Sequence, residues 1–129
     1  MAGWGALPVY ARYISARVSE ALGDTPVVLI HGARQTGKTT LVRWLVSGAH
    51  PAHYVTLDDA GVLAAARADP KGLLAGVPGP MAIDEVQRAP ELFAAIKAEV
   101  DRARCPGRFL LTGSANVLLL PQLSQFLVG

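Results

Sequence analysis

The sequence predicts an α/β fold in which helices cover both faces of a parallel sheet. Short β-rich apolar runs alternate with segments of helical periodicity along the chain, the pattern of right-handed βαβ units. A glycine-rich stretch, HGARQTGKTT, joins the first apolar run to the next helical segment. The composition, 51% hydrophobic and 17% charged, is that of a folded chain. With 129 residues, we expect a single domain over residues 1–129.

The individual elements follow from apolar periodicity and from the residues that interrupt it. Continuous apolar runs such as VVLI predict strands buried on both faces, and apolar residues three or four positions apart predict helices. Glycine and proline mark the boundaries. In chain order we predict helix 9–22, strand 27–30, helix 38–46, strand 53–57, helix 58–67, a short helix from 69–70, strand 81–84, helix 90–104, strand 108–112, and one or two short helices in the tail.

Two features of these helices can be read in more detail. Asp58-Asp59 and Asp69-Pro70 each precede a helical segment, so we interpret the aspartates as N-caps. The apolar stripes indicate which faces are buried. The predicted stripes are Tyr10, Tyr13, Ile14, Arg17 or Val18, and Ala21 in the first helix, with Ser15 elsewhere, and Leu92, Ile96, Val100 and Ala103 in helix 90–104.

The glycine-rich stretch matches a phosphate-binding loop, G-x-x-x-x-G-K-[ST]. The two glycines allow a tight turn whose N–H groups face phosphate oxygens, and the helix starting at Lys38 adds the positive end of its dipole. Lys38 can reach the β- and γ-phosphates and act catalytically there, and the Thr39 hydroxyl can ligate Mg²⁺. Arg34 either faces solvent or touches a phosphate or a neighbouring subunit. The predicted nucleotide-binding residues are Gly32, Ala33, Arg34, Gln35, Thr36, Gly37, Lys38, Thr39 and Thr40.

An acidic pair follows the third predicted strand, in MAIDEV. Ligands of open α/β sheets bind outside the carboxyl ends of the strands, where Asp84 and Glu85 lie. We expect Asp84 to hold Mg²⁺ and Glu85 to activate a water as general base. A helix-capping role is the alternative. Because a kinase must exclude water and a hydrolase needs a base for it, Glu85 favours hydrolysis over phosphoryl transfer to a small molecule.

Polar residues also end the fourth predicted strand, in FLLTGSAN. If this strand lies between the loop strand and the acidic strand, Thr112 or Ser114 can position the water or sense the departing phosphate. Ordinary turn chemistry is the alternative.

The remaining features restrict the class of protein. The net charge of +2 is only mildly basic, so a nucleic-acid contact through Arg102, Arg104 and Arg108 is a minor hypothesis. The single cysteine, Cys105, fits a reducing compartment, and His50 and His53 lack the companions of a metal site. No apolar run is long enough to span a membrane and no secretory signal is visible, so we expect a cytoplasmic protein.

Taken in order, HGARQTGKTTL, YVTLDD, AIDEVQRAPELFAAIK and RFLLTGSAN resemble the AAA-type ATPase domain of a widespread prokaryotic family, over about residues 10–127. The resemblance implies a three-layer P-loop NTPase core, with Walker A at 32–39, Walker B at Asp84 and Glu85, and a sensor-like site within 112–114. It also implies strand order 2-3-4-1 with a fifth strand beside strand 1. In that family a separate C-terminal domain usually follows, so an attached domain or a homo-oligomer is the expected partner.

The chain departs from the family pattern at its end, because QFLVG stops at Gly129 before the fifth strand and a downstream arginine. We therefore expect a truncated core with an unpaired edge at strand 27–30 and slow or absent hydrolysis on its own. The absence of an N-K-x-D tetrad favours ATP over GTP. Three functions remain: ATP binding with Mg²⁺-dependent hydrolysis, nucleotide binding without turnover, and, less favoured, a small-molecule kinase.

Overall fold

The order of helices and strands follows the predicted alternation. The computed structural model describes residues 9–32 and 37–123, and predictions that fall on other positions lie outside the described residues. A single-turn 3₁₀ helix at Val86–Arg88 was not predicted, whereas the 3₁₀ helix at Ala115–Leu119 lies in the tail, where one or two short helices were expected. The remaining elements are α1 (Val9–Leu22), β1 (Val27–Gly32), α2 (Lys38–Val46), β2 (His53–Thr56), α3 (Ala60–Ala68), α4 (Pro70–Ala75), β3 (Met81–Asp84), α5 (Glu91–Arg102) and β4 (Phe109–Ser114).

The four strands form one parallel sheet in the order β1-β4-β3-β2. This is the expected order 2-3-4-1 read from the other edge. β4 therefore lies between the strand that enters the glycine loop and the strand that ends in the acidic pair. Within the described residues β1 pairs with β4 alone, and its side chains are only partly buried, whereas β3 is buried throughout. The first strand thus lies at an edge of the described sheet, as expected.

Alternating side chains along the strands build two hydrophobic cores, one on each face of the sheet. Ala82 and Leu110 face α1 and α2, whereas their neighbours face α3, α4 and α5. The α/β class and the three-layer arrangement are confirmed. The first core contains Val18, Leu22, Leu41, Val42, Leu45, Ala82 and Leu110, and the second contains Met81, Ile83, Leu92, Phe93, Ile96, Phe109 and Leu111 among others.

Two neighbouring strands run further than predicted. β1 continues to Gly32 and β4 to Ser114, because His31 pairs with Gly113 and Gly32 with Ser114. Backbone pairing between neighbouring strands overrides the turn preference of Gly113 and Ser114. Gly113 is also a close-packing position, since a Cβ there would lie 2.9 Å from the Val117 Cβ. The prediction that the strand ends at Thr112 was wrong.

The buried faces of two helices differ from the predicted stripes. In α1, Ser15 is buried while Tyr13 is 62% exposed and Ile14 is also exposed. The face that contacts the rest of the fold carries Ser15, Val18 and Leu22, and the Ser15 hydroxyl donates to the Arg12 carbonyl. The stripe of α5 is correct at its start, but the helix ends at Arg102 and leaves Ala103 exposed.

The aspartates before α3 and α4 act as the predicted N-caps. Asp59 accepts hydrogen bonds from the N–H groups of Gly61 and Val62, and Asp69 accepts one from Gly72. Asp58 has a different partner, the Arg88 guanidinium at 3.1 Å. The cap interpretation is therefore confirmed for Asp59 and Asp69 and was wrong for Asp58.

Candidate functional site

The glycine loop leaves the end of β1 and enters the start of α2. Gly37 caps α2 with left-handed backbone angles, φ 79° and ψ 22°, which residues with a Cβ rarely adopt. The Leu41 N–H donates to the Gly37 carbonyl at 3.0 Å and so begins the helical ladder. The earlier N–H groups of an α-helix have no carbonyl one turn before them, and with the helix dipole they form an anion site. Ala33, Arg34, Gln35 and Thr36 lie outside the described residues.

The three residues that open α2 lie in different environments. Lys38 is buried, 6% exposed, and its Nζ donates to the Gly32 carbonyl at 3.2 Å across the base of the loop. Thr39 is partly buried and points at Asp84, whereas Thr40 is exposed. The fold therefore turns Lys38 and Thr39 toward the interior of the site and Thr40 toward solvent.

Asp84, the last residue of β3, accepts hydrogen bonds from three hydroxyl groups. Thr39 Oγ1 and Tyr54 OH donate to Oδ2 at 2.9 Å and 2.6 Å, and Thr112 Oγ1 donates to Oδ1. The donors come from α2, β2 and β4, so three elements meet at one carboxylate. Asp84 is only 2% exposed, and burial of a carboxylate requires this kind of hydrogen bonding. The two residues predicted as metal ligands, Thr39 and Asp84, are brought together.

Tyr54 was not identified in the sequence as a site residue. Its side chain shares the face of Ala82, its partner in the β2–β3 register, and therefore the face of Asp84 two residues further on. Burial raises the pKa of the Tyr54 phenol above its usual value of 10.0, and the hydrogen bond to Asp84 raises it further. The Arg43 guanidinium, 5.0 Å from the ring centroid, opposes this shift. The phenol therefore stays protonated at neutral pH and remains a donor to Asp84.

Thr112 contacts both residues of the acidic pair, the carboxylate of Asp84 and the backbone N–H of Glu85. Its hydroxyl donates to Asp84 and accepts a hydrogen bond from the Glu85 N–H at 2.9 Å, and its side chain is fully buried. The position of β4 between β1 and β3 meets the condition stated for its role. A water-positioning or phosphate-sensing role of Thr112 stays a prediction.

Glu85 leaves β3 through a left-handed backbone conformation, φ 62° and ψ 48°. Such a conformation is rare for a residue with a side chain, costs on the order of 1–3 kcal/mol, and is common at functional sites. The Gln87 Nε2 donates to Glu85 Oε1 at 2.8 Å, and the Ser114 N–H donates to Gln87 Oε1 at 3.2 Å. Gln87, which the sequence interpretation did not single out, thus joins Glu85 to Ser114.

The oxygen atoms around Asp84 suit a magnesium ion. Mg²⁺ takes oxygen ligands and commonly uses one or two carboxylates together with water and substrate phosphates. The Thr39 hydroxyl and the Asp84 carboxylate provide such oxygens 2.9 Å apart, beside the N-terminus of α2. The donor set therefore fits Mg²⁺, and it is held in place by hydrogen bonds within the protein.

Several other charged residues have structural partners away from this site. Arg108 is buried and donates to the carbonyls of Gly79 and Val77, while Arg102 pairs with Glu99 at 2.5 Å. A nucleic-acid contact through these arginines stays a minor hypothesis, in which Arg108 is already engaged inside the fold. His50 Nε2 lies 2.9 Å from the Gly107 carbonyl oxygen. Among the described residues, no group of three or more histidine, cysteine or acidic side chains forms a metal site, and no helix is long and apolar enough to cross a membrane.

The hydrogen bond from Tyr54 to Asp84 leads to a prediction about stability. We expect Tyr54→Phe to lower the free energy of unfolding by about 1–2 kcal/mol, because a buried carboxylate loses one of its donors. Tyr13→Phe is the matched control, since Tyr13 is exposed and only accepts from Arg17; its effect should stay within about 0.5 kcal/mol. Urea unfolding of both variants checks this, and equal changes in the two variants would contradict the assignment.

Comparison with known proteins identifies the family. The model of the AAA domain matches residues 24–129, most of the chain. An uncharacterized protein of Mycobacterium tuberculosis and another of Mycobacterium bovis are each 44% identical over 119 residues. The match covers 92% of this chain but 26% of each relative, so the chain spans about a quarter of their length. From residue 24 onward, over the glycine loop, the acidic pair and the four parallel strands, the chain belongs to the AAA domain family of P-loop proteins.

Proposed function

We propose that this chain binds ATP with Mg²⁺ and hydrolyses it. The observation that carries the proposal is the hydrogen bond from Thr39 to Asp84, which joins the start of the helix after the glycine loop to the acidic end of β3. A phosphate-binding helix terminus and a carboxylate for the metal thus lie side by side, with Glu85 next in the chain. Family membership supports the nucleotide-binding part of the proposal.

Each residue has a defined task in this proposal. The N–H groups of the loop and of the first turn of α2 bind phosphate oxygens, and the Lys38 ammonium moves from the Gly32 carbonyl to the terminal phosphates. Thr39 and Asp84 would hold Mg²⁺, which would supply positive charge to neutralise the phosphates. Glu85 accepts a proton from the water that attacks the γ-phosphorus, and the bond to the ADP oxygen breaks.

The main alternative is a nucleotide-binding module without turnover. The two functions share the loop, Lys38, Thr39 and Asp84, and they differ in whether Glu85 acts on a water. The proposal also covers partner and location. We expect hydrolysis to serve an attached domain or a homo-oligomer, in a cytoplasmic protein. The substitutions below separate binding from turnover.

Lys38→Ala should weaken ATP binding by at least about 100-fold. The substitution removes the buried cation that faces the terminal phosphates, and a charge-assisted hydrogen bond to phosphate is among the strong ones. Isothermal calorimetry with ATP and Mg²⁺ measures the effect. Lys97→Ala is the control, because Lys97 pairs with Asp101 on α5, outside the proposed site. Equal affinities in Lys38→Ala and the wild type would show that the loop does not bind the nucleotide as proposed.

Glu85→Gln should keep ATP affinity within about twofold and reduce phosphate release by at least about 100-fold, the lower range for loss of a general base. Steady-state phosphate release and calorimetry on the same samples separate the two effects. Glu91→Gln, at the exposed start of α5, is the control. Unchanged release in Glu85→Gln rules out Glu85 as the base, and binding without release in the wild type favours the module without turnover.

A further inference from the structure

The Gln87 side chain bridges the proposed general base and the end of β4. Its amide nitrogen donates to Glu85 Oε1 at 2.8 Å, and its amide oxygen accepts from the Ser114 N–H at 3.2 Å. Gln87 lies in the middle of the single-turn helix Val86–Arg88 that follows Glu85. The Gln87 carboxamide therefore contacts both Glu85, which follows β3, and Ser114, which ends β4.

The orientation of this carboxamide is determined by its two partners. The Ser114 N–H is a donor and requires the amide oxygen, whereas an ionised Glu85 is an acceptor and requires the amide nitrogen. A flipped amide would place two donors together and two acceptors together. Glutamine satisfies both partners at once, whereas glutamate would satisfy only Ser114 and leucine neither.

The turn that carries Gln87 is itself held in place. Val86 is fully buried in the core on the α5 side of the sheet, and Arg88 pairs with Asp58 at 3.1 Å. The Arg88 carbonyl accepts a hydrogen bond from Arg67 on α3. Gln87 extends from this turn and is hydrogen-bonded to the Ser114 backbone. Its amide nitrogen is therefore held in a defined place, and so is the Glu85 carboxylate that it binds.

We propose that Gln87 is a positioning residue that fixes the Glu85 carboxylate relative to the carboxyl end of β4. The inference rests on the proposed function, in which Glu85 takes a proton from the attacking water. Glu85 has a long side chain with several rotatable bonds, and misplacement of a catalytic group by about 1 Å can cost about 100-fold in rate. Gln87 holds the Glu85 carboxylate in one position. Because Gln87 is also bonded to Ser114 at the end of β4, that position is defined relative to the strand next to β1.

The Gln87–Glu85 hydrogen bond can be tested by stability alone, by exchanging the donor and the acceptor between the two positions. Q87E keeps the acceptor for Ser114 but faces Glu85 with a second carboxylate, so we expect the unfolding equilibrium constant to rise about tenfold. The double variant E85Q with Q87E exchanges the two groups and restores a donor–acceptor pair, so its stability should return to within about twofold of the wild type. If Q87E and the exchanged pair are equally destabilised, the contact does not exist as described and the proposal is overturned.

Kinetics test the positioning role. Q87E and Q87L should each lower kcat for phosphate release about tenfold or more and leave the calorimetric Kd for ATP within about twofold. In the E85Q background, Q87E should lower kcat no further, because its effect runs through Glu85. Lys97→Ala, on α5 away from the site, is the control and should leave kcat unchanged.

The outcomes separate the inference from the proposed function. Wild-type turnover with an undiminished kcat in Q87E overturns the positioning role and leaves the proposed hydrolysis intact. A Kd for ATP that changes as much as kcat also overturns it, since a residue that positions the base acts after binding. Absence of wild-type turnover removes the hydrolytic role itself, whereas the stability of the exchanged pair still decides whether the Gln87–Glu85 contact exists.

Discussion

The buried carboxylate of Asp84 is the group on which the arrangement of the site depends. An ionised side chain that is 2% exposed is costly unless its oxygens accept hydrogen bonds. The three hydroxyls that donate to it come from Thr39, Tyr54 and Thr112, on α2, β2 and β4. The hydrogen bonds to this one carboxylate therefore fix the positions of α2, β2 and β4 relative to β3. The same constraint places two oxygens that suit Mg²⁺ beside the N-terminus of α2.

The strand order gives this carboxylate its surroundings. Because β4 lies between β1 and β3, the end of the loop strand, the polar end of β4 and the acidic end of β3 share one edge of the sheet. Thr112 then touches both members of the acidic pair, through Asp84 Oδ1 and the Glu85 N–H. Beyond it, the left-handed backbone at Glu85 turns the chain into the short helix that carries Gln87. The two acids are therefore held by different neighbours, hydroxyls for one and a carboxamide for the other.

Much of the fold could be predicted because local patterns and the fold agree. The alternation of apolar runs and helical segments identified the four strands of the described residues, and the family resemblance supplied their order. Prediction failed where pairing or packing outweighed local preference, as in the extension of β4 through Gly113 and in the burial of Ser15 on α1. Lys38 and Thr39 could be proposed as site residues because their motif is tied to phosphate chemistry, and Asp84 because it ends an apolar strand. Tyr54 and Gln87 carry no such motif, and their roles depend on strand register and on a turn that the sequence did not reveal.

The central claim, that the Thr39–Asp84 pair is a ready-made magnesium site for a bound nucleotide, is tested most directly by the Mg²⁺ dependence of ATP affinity. Calorimetric titration with and without Mg²⁺ would be compared between the wild type and Asp84→Asn, with thermal unfolding to confirm that the variant is folded. We expect Mg²⁺ to tighten binding to the wild type about tenfold or more, and Asp84→Asn to bind Mg²⁺-free ATP normally but lose that gain. The same tightening by Mg²⁺ in the wild type and in folded Asp84→Asn would contradict the account.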